Sequence, residues 1–161
     1  MAKMRRIATF VLRLLALGAT TAAAAVMVTS EETAYMYTMS YEAKYTNMPA
    51  FVYFVITNVI GALYTLAVLF IPLNHVLGRF IAGLDVIMAV LLTSGASAAV
   101  AVAYVGEKGN SHAGWWPICN QVKHYCVEVA GALAAAFAGA AIYLLLVLYN
   151  IYTLFSKVDD Y

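Results

Sequence analysis

Charge is what this sequence has least of. Asp, Glu, Lys and Arg make up 11% of its 161 residues, against about a quarter in ordinary soluble domains. So few ionic groups cannot solvate the surface of a water-soluble globule of this size. The same scarcity excludes a disordered chain, which is polar and highly charged. A net charge of +1 leaves no basic footprint, so no nucleic-acid partner is expected. Prolines number three, Pro49, Pro72 and Pro117, and none falls within the long apolar runs. The signatures of enzymes are missing as well: no P-loop, no HExxH and no GxSxG elbow. Ser94 and Ser97 flank Gly95 inside an apolar run, with no His or acid placed to activate either. No haem, flavin or N-glycosylation motif occurs. The expectation is a chain with no enzymatic activity, no cofactor and no metal.

What is abundant is hydrocarbon. Hydrophobic residues make up 65% of the chain, where soluble domains hold about 45–50% on a near-identical count. Four runs reach the roughly 20 apolar residues that a membrane-crossing helix needs. They are 7–29, 50–71, 80–105 and 127–155. Each is too long for a membrane strand of about 9–11 residues, and none alternates with period two. Lipid cannot satisfy open backbone groups, so helices follow. The fold class is therefore an all-α membrane protein, a four-helix bundle forming one domain over 1–161. Polar loops at 30–49 and 106–126 connect the runs, with a short turn at 72–79 that holds Pro72, Asn74 and Arg79. Lys3, Arg5, Arg6, Arg79 and Lys157 lie on one side, against Lys44, Lys108 and Lys123 on the other. That excess puts both termini in the cytosol and both loops outside. A signal peptide is the competing reading of the first run. Its length and Arg13 favour an uncleaved first span.

Two charges lie inside the runs. Arg13 is seven residues beyond Arg6, and Asp85 six beyond Arg79. Both helices start from the same face, so both groups sit roughly 10 Å deep. Either alone near mid-span costs about 2.5–3.5 kcal/mol. An Arg fork matches a carboxylate through two parallel hydrogen bonds. An interhelical Arg13–Asp85 ion pair is preferred. Arg13 can also snorkel to the headgroups, but Asp85 has no stem with which to do so. A third reading makes Asp85 a proton or ion site; a relay normally needs several acids, and only one is deep. Tyr64 and Asn58, with the Ser and Thr groups inside the spans, are the other groups that a transport reading would use.

Small residues mark packing faces. Asp85, Ala89, Leu92, Ala96, Ala99 and Ala103 share one face of the third run. Gly131, Ala135 and Gly139 recur every four residues in the fourth, the small-xxx-small contact pattern, used within a monomer or between copies. Glu128 is expected at the N-terminal end of the fourth helix, where an acid is favoured. Cys119 and Cys126 are the only cysteines, and in this topology they face an oxidising exterior. A disulfide is the default reading. A zinc site with His112 and His124 is the alternative, although six intervening residues exceed the usual knuckle spacing. Trp115 and Trp116 are interface anchors or a contact surface for an extracellular partner.

This combination resembles the plant CASP-like family, relatives of the Casparian strip membrane domain proteins and, more distantly, of the four-span MARVEL proteins. The resemblance rests on an Arg in span 1, an Asp in span 3, and the segments "LDVIMAVLLTSGASAAVAVAYVGEKGNSHAGW", "GWWPICNQVKHYC" and "KYTNMPAFVYFVITN". It implies a multi-pass plasma-membrane protein with a MARVEL-like bundle and cytosolic termini. It also implies that Arg13 and Asp85 are the shared charged positions, and it carries the outer-loop Trp and Cys pattern over to this chain. Casparian strip members oligomerise into a membrane scaffold that recruits machinery for wall modification. The implied partners are further copies, related family members, the bilayer and extracellular wall-modifying proteins. The approach to Pro49 here, Tyr45, Thr46, Asn47 and Met48, departs from the more acidic stretch of strip-forming members. The resemblance is therefore to the CASP-like members rather than to the strip formers.

Overall fold

The computed structural model describes residues 2–36, 39–71 and 75–158. Four helices carry the fold: α1 (Ala2–Thr29), α2 (Pro49–Phe70), α3 (His75–Lys108) and α4 (Lys123–Val158). All four are long and apolar enough to cross a membrane. Two short strands, β1 (Glu31–Met36) and β2 (Met39–Lys44), form an antiparallel hairpin between α1 and α2. An all-helical reading does not contain this hairpin. Pro72 and Asn74 of the expected α2–α3 turn lie outside the described residues.

The helices overrun the apolar runs that announced them. At 1.5 Å per residue, the 34 residues of α3 span about 51 Å and the 36 of α4 about 54 Å. Hydrocarbon accounts for about 30 Å. Hydropathy marks where lipid ends, whereas a helix ends where its backbone can no longer continue. For α3 that point is Gly109, at φ +70°. Its N–H still bonds Val105 O at 2.8 Å before the chain turns away. A Cβ there would stand 2.7 Å from Trp115 O, so both conformation and space call for glycine. At the start of α2, Pro49 occupies the first turn, where its missing N–H leaves no extra group unsatisfied.

α1 and α3 each pack against α2 and α4, giving a square bundle. Its core is unusually small in side chain. Ala16, Ala23, Ala96, Ala99, Ala132, Ala136 and Ala140 are all buried. In lipid there is no hydrophobic drive between helices, so close backbone approach supplies the cohesion. The Asp85 face of α3 points inward from Asp85 through Ala99, with Ala103 partly buried at its end. α2 and α3 approach closely at Gly95, where a Cβ would come within 2.4 Å of Thr57 Oγ1.

Candidate functional site

Two assemblies stand out, one within the bundle and one at its hairpin end. The first is built on Asp85, which has no exposed surface, and Arg13, which is 3% exposed. Arg13 Nη2 donates to Asp85 Oδ2 at 2.8 Å and Nη1 to Oδ1 at 3.2 Å, the two-pronged geometry of a guanidinium on a carboxylate. From α2, the Tyr64 hydroxyl donates to Oδ1 at 2.8 Å. From α4, Asn150 Nδ2 lies 3.5 Å from Oδ2, a long contact. One carboxylate on α3 thus receives donors from the other three helices.

A neighbouring network continues toward the bundle centre. Tyr143 on α4 reaches across to α2, donating to Gly61 O at 3.0 Å and meeting the Thr65 hydroxyl. The Tyr64 and Tyr143 rings lie 6.3 Å apart. Among the described residues, buried Arg13 Nε and Asn58 Oδ1 have no hydrogen-bond partner. Sequence reasoning singled out Arg13, Asp85, Tyr64 and Asn58 and included Thr65 only among the Ser and Thr groups inside the spans, but missed Tyr143 and Asn150. A signal was available: polar groups within lipid are expensive and tend to be used. Tyr143 and Asn150 stand inside the fourth apolar run.

The second assembly is the cap over the hairpin end. Cys119 and Cys126 form a disulfide with a Cα–Cα distance of 5.8 Å. It ties the incoming loop to the first turn of α4. The same loop folds back on α3, with Ile118 N donating to Gly106 O at 2.9 Å. Asn110 organises its other half, accepting from the backbone N–H groups of His112 and Ala113 at 3.1 and 3.3 Å. Trp115 and Trp116 follow on the outside, 60% and 86% exposed.

The hairpin is joined to this cap by a side chain. Glu32 Oε2 accepts from the Tyr125 backbone N–H at 2.9 Å, at the start of α4. That corrects the expectation for Glu128. α4 begins at Lys123, so Glu128 lies in its second turn, where it pairs with His124 at 3.5 Å. The acid at the helix N-terminus is instead supplied from β1, where it meets a first-turn N–H and the positive end of the helix dipole. Along the hairpin, Lys44 lies 3.1 Å from Glu31 and 2.6 Å from Glu42. These two carboxylates hold its ammonium pKa above the usual lysine value, chiefly through the hydrogen bond to Glu42.

The small residues of α4 divide between two environments. Gly139 is buried against α1, where a Cβ would meet Thr20 Cγ2 at 3.3 Å and Ala19 Cβ at 3.5 Å. Ala135 is partly buried, and Gly131 faces open space. The predicted stripe is therefore not one surface. A different set, Gly131, Ala134, Ala138 and Ala141, is exposed along α4. On α1, Gly18, Ala22 and Ala25 are likewise exposed.

Comparison with known proteins places this architecture. The family model described as the Casparian strip membrane protein domain matches residues 2–142. CASP-like protein 1C2 of Vitis vinifera is 53% identical over 148 residues, 92% of each chain. CASP-like protein 1C3 of Populus trichocarpa is 49% identical over 158 residues, 98% of this chain and 92% of its own. CASP-like protein 1C1 of Arabidopsis thaliana is 51% identical over 148 residues, covering 92% and 90%. No solved structure matches the chain. With the family model spanning most of its length, and close relatives spanning nearly all of it, this four-helix membrane protein belongs to the Casparian strip membrane protein domain family, among the CASP-like proteins.

Proposed function

We propose that the protein is a non-enzymatic scaffold of the plasma membrane, which assembles laterally with its own copies or with related members into platforms. The observation that carries this reading is the occupied state of Asp85, which takes donors from all three other helices. An acid held this way is a structural keystone. It makes the bundle one rigid body suited to building larger arrays. The exposed small residues on α1 and α4 support the lateral part of the reading, because small faces let a neighbouring helix approach closely in lipid. Both termini lie in the cytosol, as the Lys and Arg bias directs. The disulfide at the opposite end suits an oxidising exterior. In that orientation the hairpin and the Trp115–Trp116 loop face the wall and recruit wall-modifying proteins.

The test is lateral mobility of a fluorescent fusion, measured by photobleaching at the plasma membrane. A platform gives patches with little recovery. Fast, uniform recovery overturns the scaffold. The competing class is a small channel, a transporter or a transporter accessory subunit. It requires ion or solute flux from reconstituted vesicles, whereas the scaffold gives none.

A further inference from the structure

The hairpin end of the bundle holds a cavity of about 250 Å³. Its walls are apolar: Phe51 from α2, Val100 and Ala103 from α3, and Val129 and Leu133 from α4. Leu133 lies ten residues into α4, so the cavity reaches about 15 Å down from the helix start. Val100 and Tyr104 on α3 and Ala130 on α4 line it while remaining exposed, so its mouth opens between these membrane-spanning helices. At its other end the lining turns polar, with Lys44, Asn47 and Glu107. Lys44 is paired with Glu31 and Glu42, and Glu107 with Lys108 at 2.9 Å. The rim therefore presents one ammonium group, Lys44, and one carboxylate, Glu107, while the charges paired with them stand outside the lining.

These features select an occupant. An apolar cavity does not hold water. The volume lies below the roughly 300–1,000 Å³ of drug-sized ligand sites. A single hydrocarbon chain is narrow enough, and the mouth faces a solvent made of such chains. The rim decides the headgroup. An anionic head meets the Glu107 carboxylate as well as the Lys44 ammonium, whereas a head with both signs finds a counter-charge for each. We propose that this cavity holds one acyl chain of a zwitterionic phospholipid, its headgroup seated at the Lys44–Asn47–Glu107 rim.

The test uses the purified full chain in phosphatidylcholine nanodiscs. A small fraction of the phosphatidylcholine carries a photoactivatable diazirine midway along one acyl chain. Peptide mapping should find adducts on 100–107 and 125–133 several-fold above those around the exposed Leu14, Leu15 and Leu63. Ala130→Phe narrows the mouth and should lower that yield several-fold. Ile87→Phe, exposed on α3 away from the cavity, should leave it unchanged. If Ala130→Phe fails to fold, Val100→Phe on the opposite lip makes the same test. Exchanging the bulk lipid for phosphatidylglycerol should raise the yield, because the bulk then competes poorly. Even labelling around all four helices, or labelling unaffected by the lip variants, overturns the site. An unchanged or lower yield in phosphatidylglycerol overturns the headgroup assignment.

Discussion

Asp85→Asn keeps the shape of the side chain at the middle of the buried cluster and removes its charge. The loss falls on Arg13, which then stays buried opposite a neutral amide. Removing one partner of a buried pair costs about 3–5 kcal/mol, mostly through the charge left behind. The expected outcome is lower accumulation and lower oligomer yield, read by unfolding in mixed micelles and by size-exclusion chromatography. The double variant Arg13→Met/Asp85→Leu removes both charges and should recover much of the loss; equal loss in single and double variants would assign the effect to packing instead. Gly95 makes a separate case. A methyl group placed 2.4 Å from Thr57 Oγ1 must push α2 and α3 apart. Overpacking of this kind costs about 1–3 kcal/mol. Gly95→Ala should destabilise the bundle by that amount in the same micelle assay. The Thr57→Ala background should relieve most of it, since the nearest contacts are with that side chain.

At the scale of elements, the cap is the part with its own behaviour. The Cys119–Cys126 bridge closes a short loop at the head of α4, and the chain-entropy model gives about 2–3 kcal/mol for it. Replacing both cysteines with Ser should lower stability by that order. Amide exchange should quicken across the loop and the first turn of α4 while the α1–α2 packing stays protected. Glu32→Gln acts on the same turn from the hairpin side. It removes a charge from the helix N-terminus, a contribution of about 0.3–1 kcal/mol, and should speed exchange at Tyr125 in particular. The contrast between helices and hairpin explains what the sequence made legible. Lipid imposes a single demand, long unbroken apolar helices, and that demand can be read from composition alone. Arg13 and Asp85 were visible because charge is out of place there. The hairpin obeys no such demand. Its inward positions are Glu32, Ala34 and Ala43, and Thr33 and Tyr35 point outward, so no apolar alternation betrays it. Glu32 as the partner of Tyr125 is a contact across 93 residues, invisible to any local pattern. The span-4 stripe misled for a related reason: spacing of four reports a face, but not whether that face meets α1 or lipid.

For the whole molecule, assembly is decided on the surface left over after the bundle has packed. Ala134 and Ala138 are exposed on α4, so Leu at both positions adds bulk without crowding the monomer. The expected outcome is a folded monomer with intact disulfide and reduced cross-linking between copies; unchanged cross-linking would move the contact to another face. The way the monomer itself is made follows from the reach of its buried pair. Arg13 and Asp85 stand 72 residues apart in the chain. A ribosome adding about 5–20 residues per second needs about 4–14 s to cover that distance. Throughout that interval α1 is already made while its counter-charge does not yet exist. Over that interval Arg13 has no counter-charge on α3, and its long stem lets the guanidinium reach toward the headgroups. The buried pair closes only when α3 arrives, so the third span supplies the counter-charge that the first lacks.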